Sequence, residues 1–298
     1  MMTASARSST PSLSDHCSRS PGDVNYETGH VDFNGNVTVA GSVEGSFRVK
    51  ASGDVVIEGS VEAGAEIVAG GSVTVGQGIV GSETSVKAEA TLAAKFVQDA
   101  RLEARGDVIV DSYLHGAFVV SGGQVQVEGS GGGIVGGETW GLKGIRALNI
   151  GAEASSGTEL FAGLEPSQLP HLQEIRTAIR TAEDMLARLL ATSGLQSFDQ
   201  EEVDKVAGHS ESRQEAVQQA VDEAKQHNEN REAKMCEEKE LTEHIAEVAK
   251  LATIEVPEHA HSRVRVQIGA NHRVVAQDET HVRFRVGADD DIVSSDLG

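Results

Sequence analysis

The feature that most constrains the fold is a repeat of constant length near the start of the chain. Gly35, Gly53 and Gly71 are equally spaced along the sequence. An alternating apolar pair follows each of these glycines: Val37 and Val39, Val55 and Ile57, Val73 and Val75. Such alternation is the pattern of a short strand with one buried face. A unit this small cannot bury its own apolar face, so the units must stack into a parallel β-helix, or β-solenoid.

The pattern continues with looser spacing and gives roughly seven turns between residues 31 and 163. No aliphatic residue recurs at every sixth position, as it does in left-handed acyltransferase helices, and the coils are shorter than those of sugar-cleaving β-helices. We therefore predict a right-handed parallel β-helix over residues 25–165. Glycine tolerates the positive φ angles of tight corners, and it is expected to form corners at Gly35, Gly53, Gly71, Gly106, Gly123, Gly136 and Gly137.

A different pattern follows in residues 166–254, which we predict to form an antiparallel coiled-coil hairpin. Leu172, Ile175, Ile179, Ala182, Leu186 and Leu189 recur at steps of three and four, as in a heptad seam. The reversal is expected near Gly208, with an irregularity near Gly194.

The end of the chain carries two similar strand patterns, "VRVQIG" at 264–269 and "VRFRVG" at 282–287. Their spacing equals that of the first repeats, which predicts that residues 255–290 return to complete the β-helix. The hairpin is then an insertion. Residues 1–24 are predicted to be a disordered tail and residues 291–298 an acidic tail. We expect the returning strands to cover one end of the β-helix and the polar residues 1–30 to shield the other.

Composition limits the function classes. The net charge of −21 argues against a nucleic-acid partner, because phosphate binding needs clustered Lys and Arg. Cys17 and Cys236 are the two cysteines, so no disulfide framework exists and a reducing compartment fits. The sequence has no signal-peptide pattern and no apolar run long enough for a membrane span. A cytoplasmic location is therefore expected.

Three groups of residues could in principle form catalytic or ligand sites. Asp54, Glu58, Asp107 and Asp111 lie on or beside predicted strands, but they are better explained as corner residues that hydrogen-bond the turn backbone. His259, His261, His272 and His281 lack the spacing of a zinc site. The glycine-rich stretch "GSGGGIVGG" lacks the Lys-Ser/Thr pair of a phosphate loop. The sequence thus predicts no catalytic residue, cofactor or metal.

Four arginines form the one charge pattern with a functional interpretation: Arg263, Arg265, Arg283 and Arg285. The repeat spacing places Arg265 beside Arg283, and Arg263 beside His281, on neighbouring strands. Like charges this close repel, so acidic groups should lie against them. These groups are either the glutamates of the chain itself or an acidic docking partner.

Two runs of sequence carry a family resemblance: "VNYETGHVDFNGNVTVAGSVEGSFRVKASGDVVIEGSVE" and "GGGIVGGETWGLKGIRALNIGAEASSGTELFAG". They resemble the bacterial flagellar assembly protein A family, over residues 25 to about 290. The resemblance implies a right-handed β-helix akin to that of the bactofilins, a coiled-coil hairpin, and a cytoplasmic role in flagellar assembly through protein contacts. It implies no enzymatic activity.

Three functions remain open at this point. A protein-interaction scaffold with partners of unknown identity ranks first. A self-assembling, bactofilin-like polymer ranks second, because an open β-helix end can add another chain, and a homo-oligomer is compatible with both. An enzyme acting on saccharides or acyl donors ranks last.

Overall fold

A computed structural model describes residues 17–129, 131–153, 157–207 and 211–297. Contacts divide the chain into two units. The first unit holds the residues up to 165 and from 248 onward, and the second holds residues 166–247. The strands therefore fall in the first unit and the helices fall mainly in the second.

The elements of the described residues are, in chain order, β1 (Cys17–Ser20), β2 (Val31–Phe33), β3 (Asn36–Val39), β4 (Arg48–Ala51), β5 (Val55–Ile57), β6 (Glu66–Ala69), β7 (Val73–Val80), β8 (Ser85–Ala88), β9 (Leu92–Gln98), β10 (Arg101–Ala104), β11 (Val108–Val110), β12 (Tyr113–His115), β13 (Phe118–Ser121), β14 (Gln124–Val127), β15 (Gly133–Val135), β16 (Gly137–Gly141), β17 (Gly144–Ala147), β18 (Asn149–Ile150), β19 (Thr158–Ala162), α1 (Gln168–Ser193), α2 (Gln200–Ala207), α3 (Glu211–Ala249), β20 (Thr253–Ala260), β21 (Arg265–Ile268), β22 (Asn271–Val274), β23 (Glu279–Val286) and β24 (Ile292–Asp296).

The first unit is a parallel β-solenoid whose successive coils hydrogen-bond along its axis. One sheet begins with β2, β4, β6, β8, β10, β13, β16, β19 and β21 in that order, and these nine strands are parallel. A tenth strand, β22, follows β21. From β2 to β19 the chain makes about seven turns. The predicted parallel solenoid is thus confirmed, together with the presence of helices after it.

The other sheet covers two faces of the solenoid, because some of its strands bend around a corner. In β7 the residues Val73 to Val75 pair with one part of β9, and Gly78 to Val80 pair with a later part after a register shift. The later part of β9 also pairs with β12, which pairs with β15 and then β18. Each full coil therefore presents three faces.

The core consists of aliphatic side chains stacked in columns, one column for each face. In one column the register runs from Val37 through Val55 and Val73 to Leu92, and all four side chains are buried. In another, Val49 lies beside Ile67, which lies beside Val86. On the third face, Val43 pairs with Val61 through a parallel bridge. This dry aliphatic stack supplies the burial that aromatic residues supply in other cores.

At most of the predicted corners, glycine is required for a reason other than a positive φ angle. Gly35, Gly136 and Gly137 have positive φ angles of 150°, 69° and 72°. Gly53, Gly71, Gly106 and Gly123 do not, and they are needed for space. A Cβ on Gly71 would lie 2.2 Å from Oδ1 of Asp54 in the preceding coil. The conformational explanation was therefore wrong for these four residues, because the limit is set by the neighbouring coil.

The C-terminal segment returns to the solenoid, but only in part as further coils. β20 pairs in parallel with β17 and β18, and β21 pairs in parallel with β19. β22, β23 and β24 then pair antiparallel, with β21, β20 and β23 respectively. Antiparallel strands cannot continue the winding, so the parallel coils end here.

Two predicted tails contain ordered strands. Cys17–Ser20 is a strand paired with β3, and Val24 is fully buried beside Val43, so the prediction of disorder is wrong for residues 17–24. Residues 17–33 form the first coil and do not shield it. At the other end, Ile292–Asp296 is a strand paired with β23, because Ile292 is buried against the core.

The second unit is helical. Arg176 on α1 lies 2.7 Å from Glu238 on α3, measured from Nε to Oε1, and His171 Nε2 lies 3.1 Å from Glu237 Oε1. A small apolar cluster joins Leu195 and Val203 to Val217 and Val221. α1 ends at Gly194, whose φ of 75° is left-handed. The predicted reversal near Gly208 lies outside the described residues.

None of the helices in the described ranges is long and apolar enough to cross a bilayer.

Substituting Gly71 tests the proposed reason for the corner glycines. We expect Gly71→Ala to lower the free energy of unfolding by about 1–3 kcal/mol, because the new methyl group meets Asp54. Gly22→Ala is the matched control, since nothing lies within 4 Å of its Cβ position. Urea denaturation followed by circular dichroism measures both. Asp54→Ala should reduce the cost of Gly71→Ala, and an unchanged cost in that background would contradict the explanation.

Candidate interaction surface

Charged side chains of alternating sign form a row where the returning strands join the solenoid. Arg146 on β17 is directly opposite Glu255 on β20, which is opposite Arg283 on β23. Arg146 donates hydrogen bonds to Glu255 and Glu128, and Arg283 Nε donates to Glu255 Oε1 at 2.9 Å. These four residues, Glu128, Arg146, Glu255 and Arg283, are called the ionic row below.

The ionic row is neutralised from within the chain. Glu255 has a side chain only 16% exposed and accepts from two guanidinium groups. The hydrogen bonds to Glu255 and then to Glu128 raise the pKa of Arg146 further above its usual value. Charge-assisted bonds between strands of distant sequence hold β17, β20 and β23 in register. The ionic row is therefore a joint between the earlier coils and the returning segment.

Two of the four arginines predicted to form a docking patch already have acidic partners. Arg265 lies on β21 opposite Glu159 of β19, with Nη1 and Oε1 3.3 Å apart. Arg283 belongs to the ionic row. The predicted adjacency of Arg265 and Arg283 is wrong, because β21 and β23 belong to different sheets.

The reason for this error lies in the connection between the two strands. β22 turns back antiparallel on β21, so the chain reverses before β23 begins. The interval between the two patterns therefore does not describe one coil, although its length is the same. Arg263 lies in the turn between β20 and β21, outside the residues that pair with β23, and its backbone N–H donates to the carbonyl of Val275.

The other two arginines, Arg263 and Arg285, are exposed. No carboxylate of the described residues lies within ion-pair distance of either one. Arg263 sits in a turn with φ of 70°, and Arg285 lies near the end of β23. They are the members of the predicted patch whose charge is available to another molecule.

Two of the four candidate carboxylates, Asp54 and Asp107, have structural roles at the corners. Asn36 Oδ1 accepts the backbone N–H of Asp54 at 2.8 Å, and Asp54 Oδ1 accepts that of Ser72 at 2.7 Å. Asp107 does the same for Gln124 at 2.8 Å. Asp54 and Asp107 are three coils apart, or about 14 Å at the strand spacing, too far for a carboxylate pair of a glycosidase.

The histidines do not converge on a common centre. The ring centroids of His259 and His261 are 6.3 Å apart, and His261 Nδ1 lies 3.5 Å from Asp278 Oδ2. The searched part of the chain contains no group of three or more His, Cys, Asp or Glu side chains that could hold a metal. Asp278 also accepts the Ser262 N–H at 2.8 Å. His261 and Asp278 thus tie two loops together.

Ser130 of the glycine-rich stretch lies outside the described residues. Within the rest, Gly137 approaches the preceding coil closely, and a Cβ there would lie 2.2 Å from the Ala117 carbonyl oxygen. This contact supports a packing role for Gly137.

An aromatic stack that no sequence pattern predicts lies on the outward side of β16 and β19. Trp140 and Phe161 are Cα partners whose ring centroids are 3.8 Å apart with an interplanar angle of 4°. Each ring is only 6% exposed. Their separation along the chain concealed the pair, since it is longer than that of partners in the earlier coils, such as Val49 and Ile67.

The helical unit contains an open groove between α1 and α3. Its lining includes Ala178, Ala182 and Met185 from α1 and His227 and Asn230 from α3. Met185 is partly exposed. The rest of the lining is mixed, with Pro170, Thr177 and Thr181 beside the longer polar side chains of Gln173 and Glu174. The alanines leave room for the side of another helix.

Removing the shared acid of the ionic row should destabilise the joint. We expect Glu255→Gln to lower the free energy of unfolding by about 2–4 kcal/mol, because two partly buried guanidinium groups lose their common anion. Glu66→Gln is the control, since Glu66 pairs only with the exposed Arg48 and should cost less than about 1 kcal/mol. Equal losses of stability in urea would contradict a joint role.

The carboxyl of Asp278 provides a pH prediction. The Ser262 backbone N–H holds the pKa of Asp278 below its usual value, with a further contribution from His261. A lowered pKa in the folded state stabilises the fold above the unfolded value, and the contribution is lost as pH falls through the folded value. NMR titration of the Asp278 side-chain carbon should give a lower midpoint in the folded protein than in the urea-unfolded chain, and equal midpoints would contradict the contact.

Comparison with known proteins relates the chain to one protein family. A family model described as the Flagellar Assembly Protein A beta solenoid domain matches residues 19–292. No curated protein and no solved structure matches the chain.

Proposed function

The chain belongs to the flagellar assembly protein A family, and on this premise we propose that it is a non-enzymatic cytoplasmic scaffold that acts in flagellar assembly through protein contacts. The observation that carries the proposal is the return of the chain to the solenoid. β20 pairs with β17 and β18 after the helices, so the helical unit is joined at both ends to a rigid support. An insertion of this kind is suited to presenting a surface to a partner.

The helical unit is proposed to be an antiparallel coiled-coil hairpin within residues 166–254, on a solenoid that winds to the right. The ion pair of Arg176 with Glu238 and the contact of His171 with Glu237 support an antiparallel arrangement of α1 and α3. The groove beside Met185 is proposed to accept a partner helix.

Arg263 and Arg285 are proposed to contact an acidic protein partner. Their charges have no carboxylate counterpart among the described residues, in contrast to Arg265 and Arg283. Exposed cations increase the association rate with an acidic surface and help to select it.

A self-assembling polymer like the bactofilins is the second candidate. The edge of β1 supports it, because this edge has no partner strand among the described residues and such an edge can accept another chain. The antiparallel strands at the other end favour the scaffold, because they interrupt the parallel winding that stacked β-helices would continue.

Complementation in the organism that carries the gene tests the scaffold and its patch. We expect deletion of the gene to reduce the number of flagellar filaments per cell, counted by electron microscopy. The intact gene should restore the number, and a gene encoding Arg263→Glu with Arg285→Glu should not.

Lys50→Glu with Lys95→Glu is the matched control, because both lysines are exposed and the change in net charge is the same. The control variant should restore filaments, and both variants should give wild-type circular dichroism. Normal filament numbers in the deletion strain would overturn the flagellar role. Restoration by the double arginine variant would overturn only the patch.

A further inference from the structure

The two ends of the solenoid differ. At the C-terminal end, β22 covers β21, and β23 and β24 continue from β20, all in antiparallel pairing. At the N-terminal end, β1 pairs with β3 and β2 pairs with β4, and neither strand has a second neighbour within the described residues. Within the described part of the chain, the first coil therefore presents open strand edges along the axis.

The open end also exposes apolar groups. Val31 and Phe33 on β2 pack against the core and are only partly buried. Tyr26, between the two strands, is 92% exposed and meets Phe47 edge-on with ring centroids 5.1 Å apart. An apolar edge with unpaired backbone groups is a site where another strand adds.

The charges of the open end are complementary under two-fold symmetry. Consider two copies that meet at this end and are related by a two-fold axis perpendicular to the solenoid axis. Their end strands then run antiparallel. If this axis passes through the face that contains Val24, β1 of one copy lies against β2 of the other. Outward-facing Arg19 lies on β1, and outward-facing Asp32 lies on β2. Arg19 has a carboxylate only at 4.0 Å, on Glu58, and Asp32 has no ion pair within the described residues.

We propose that two copies of this chain join at these open ends, with β1 of each copy pairing antiparallel with β2 of the other. Arg19 of one copy then faces Asp32 of its partner, twice in each dimer. Because a two-fold interface uses the same surface of both copies, assembly through it stops at two copies. This proposal goes beyond the scaffold function and does not depend on the identity of a flagellar partner.

Light scattering of the purified full chain over a range of concentrations tests the stoichiometry. The chain has a mass of 31.3 kDa, and the expected result is a rise from this mass to twice this mass, followed by a plateau. A monomer mass at every concentration would overturn the proposal. Growth beyond the dimer without a plateau would also overturn it and would support open filaments.

Charge exchange tests the arrangement of the two ends. Asp32→Arg alone and Arg19→Asp alone place like charges opposite each other, and each should raise the dissociation constant by about tenfold. The double variant, Arg19→Asp with Asp32→Arg, restores opposite charges and should return the constant close to that of the unchanged protein. Failure of the double variant to recover, while it keeps wild-type circular dichroism, would overturn the pairing of β1 with β2.

Hydrogen exchange of the unchanged protein gives a measurement that does not depend on variants. Amides of residues 17–20 and 31–33 should exchange more slowly as the concentration rises, because strand pairing protects them. The amides of β24 should be unaffected. Protection that is equal at all concentrations would indicate that residues of the same chain cover this end, and it would contradict the dimer.

Discussion

The hydrogen bonding of each coil to the next is the constraint on which the structure depends. A coil has no partner strands of its own, so every N–H and C=O on its axial edges must be satisfied by the coil before it and the coil after it. This demand fixes the register, and the register in turn places like residues above one another. Val37, Val55 and Val73 form one column because a shift by a single position would turn their side chains to solvent.

The corner residues follow from the same constraint. Asp54 satisfies a backbone group of the next coil with its side chain, and the carboxylate occupies the space that a side chain at position 71 would need. An aspartate in one coil therefore requires a glycine at the adjacent position of the next coil, as Asp54 does at Gly71. Function has to be sought where the constraint is relaxed, in the helical unit and at the exposed charges.

Much of the solenoid is predictable because the length of the sequence repeat equals the spacing between residues that pair in successive coils. The column of Val49 and Ile67 follows from the constant spacing of the repeat. The same spacing misleads at Arg265 and Arg283, because a period does not distinguish a coil from an antiparallel turn of equal length. The stack of Trp140 on Phe161 was not found because those coils are longer. The ionic row joins residues that are distant in sequence, and no local sequence pattern predicts such a pairing.

The insertion of the helices has a consequence for synthesis on the ribosome. β19 ends at residue 162, but the strand that pairs with its open side, β21, begins at residue 265. At roughly 5–20 residues per second, the growing chain spends on the order of 5–20 s with that edge uncovered. During this interval the nascent protein carries a strand edge that neighbouring chains on the same message could occupy. Early folding of the helices gives the intervening chain a structure of its own while the edge waits for its strand.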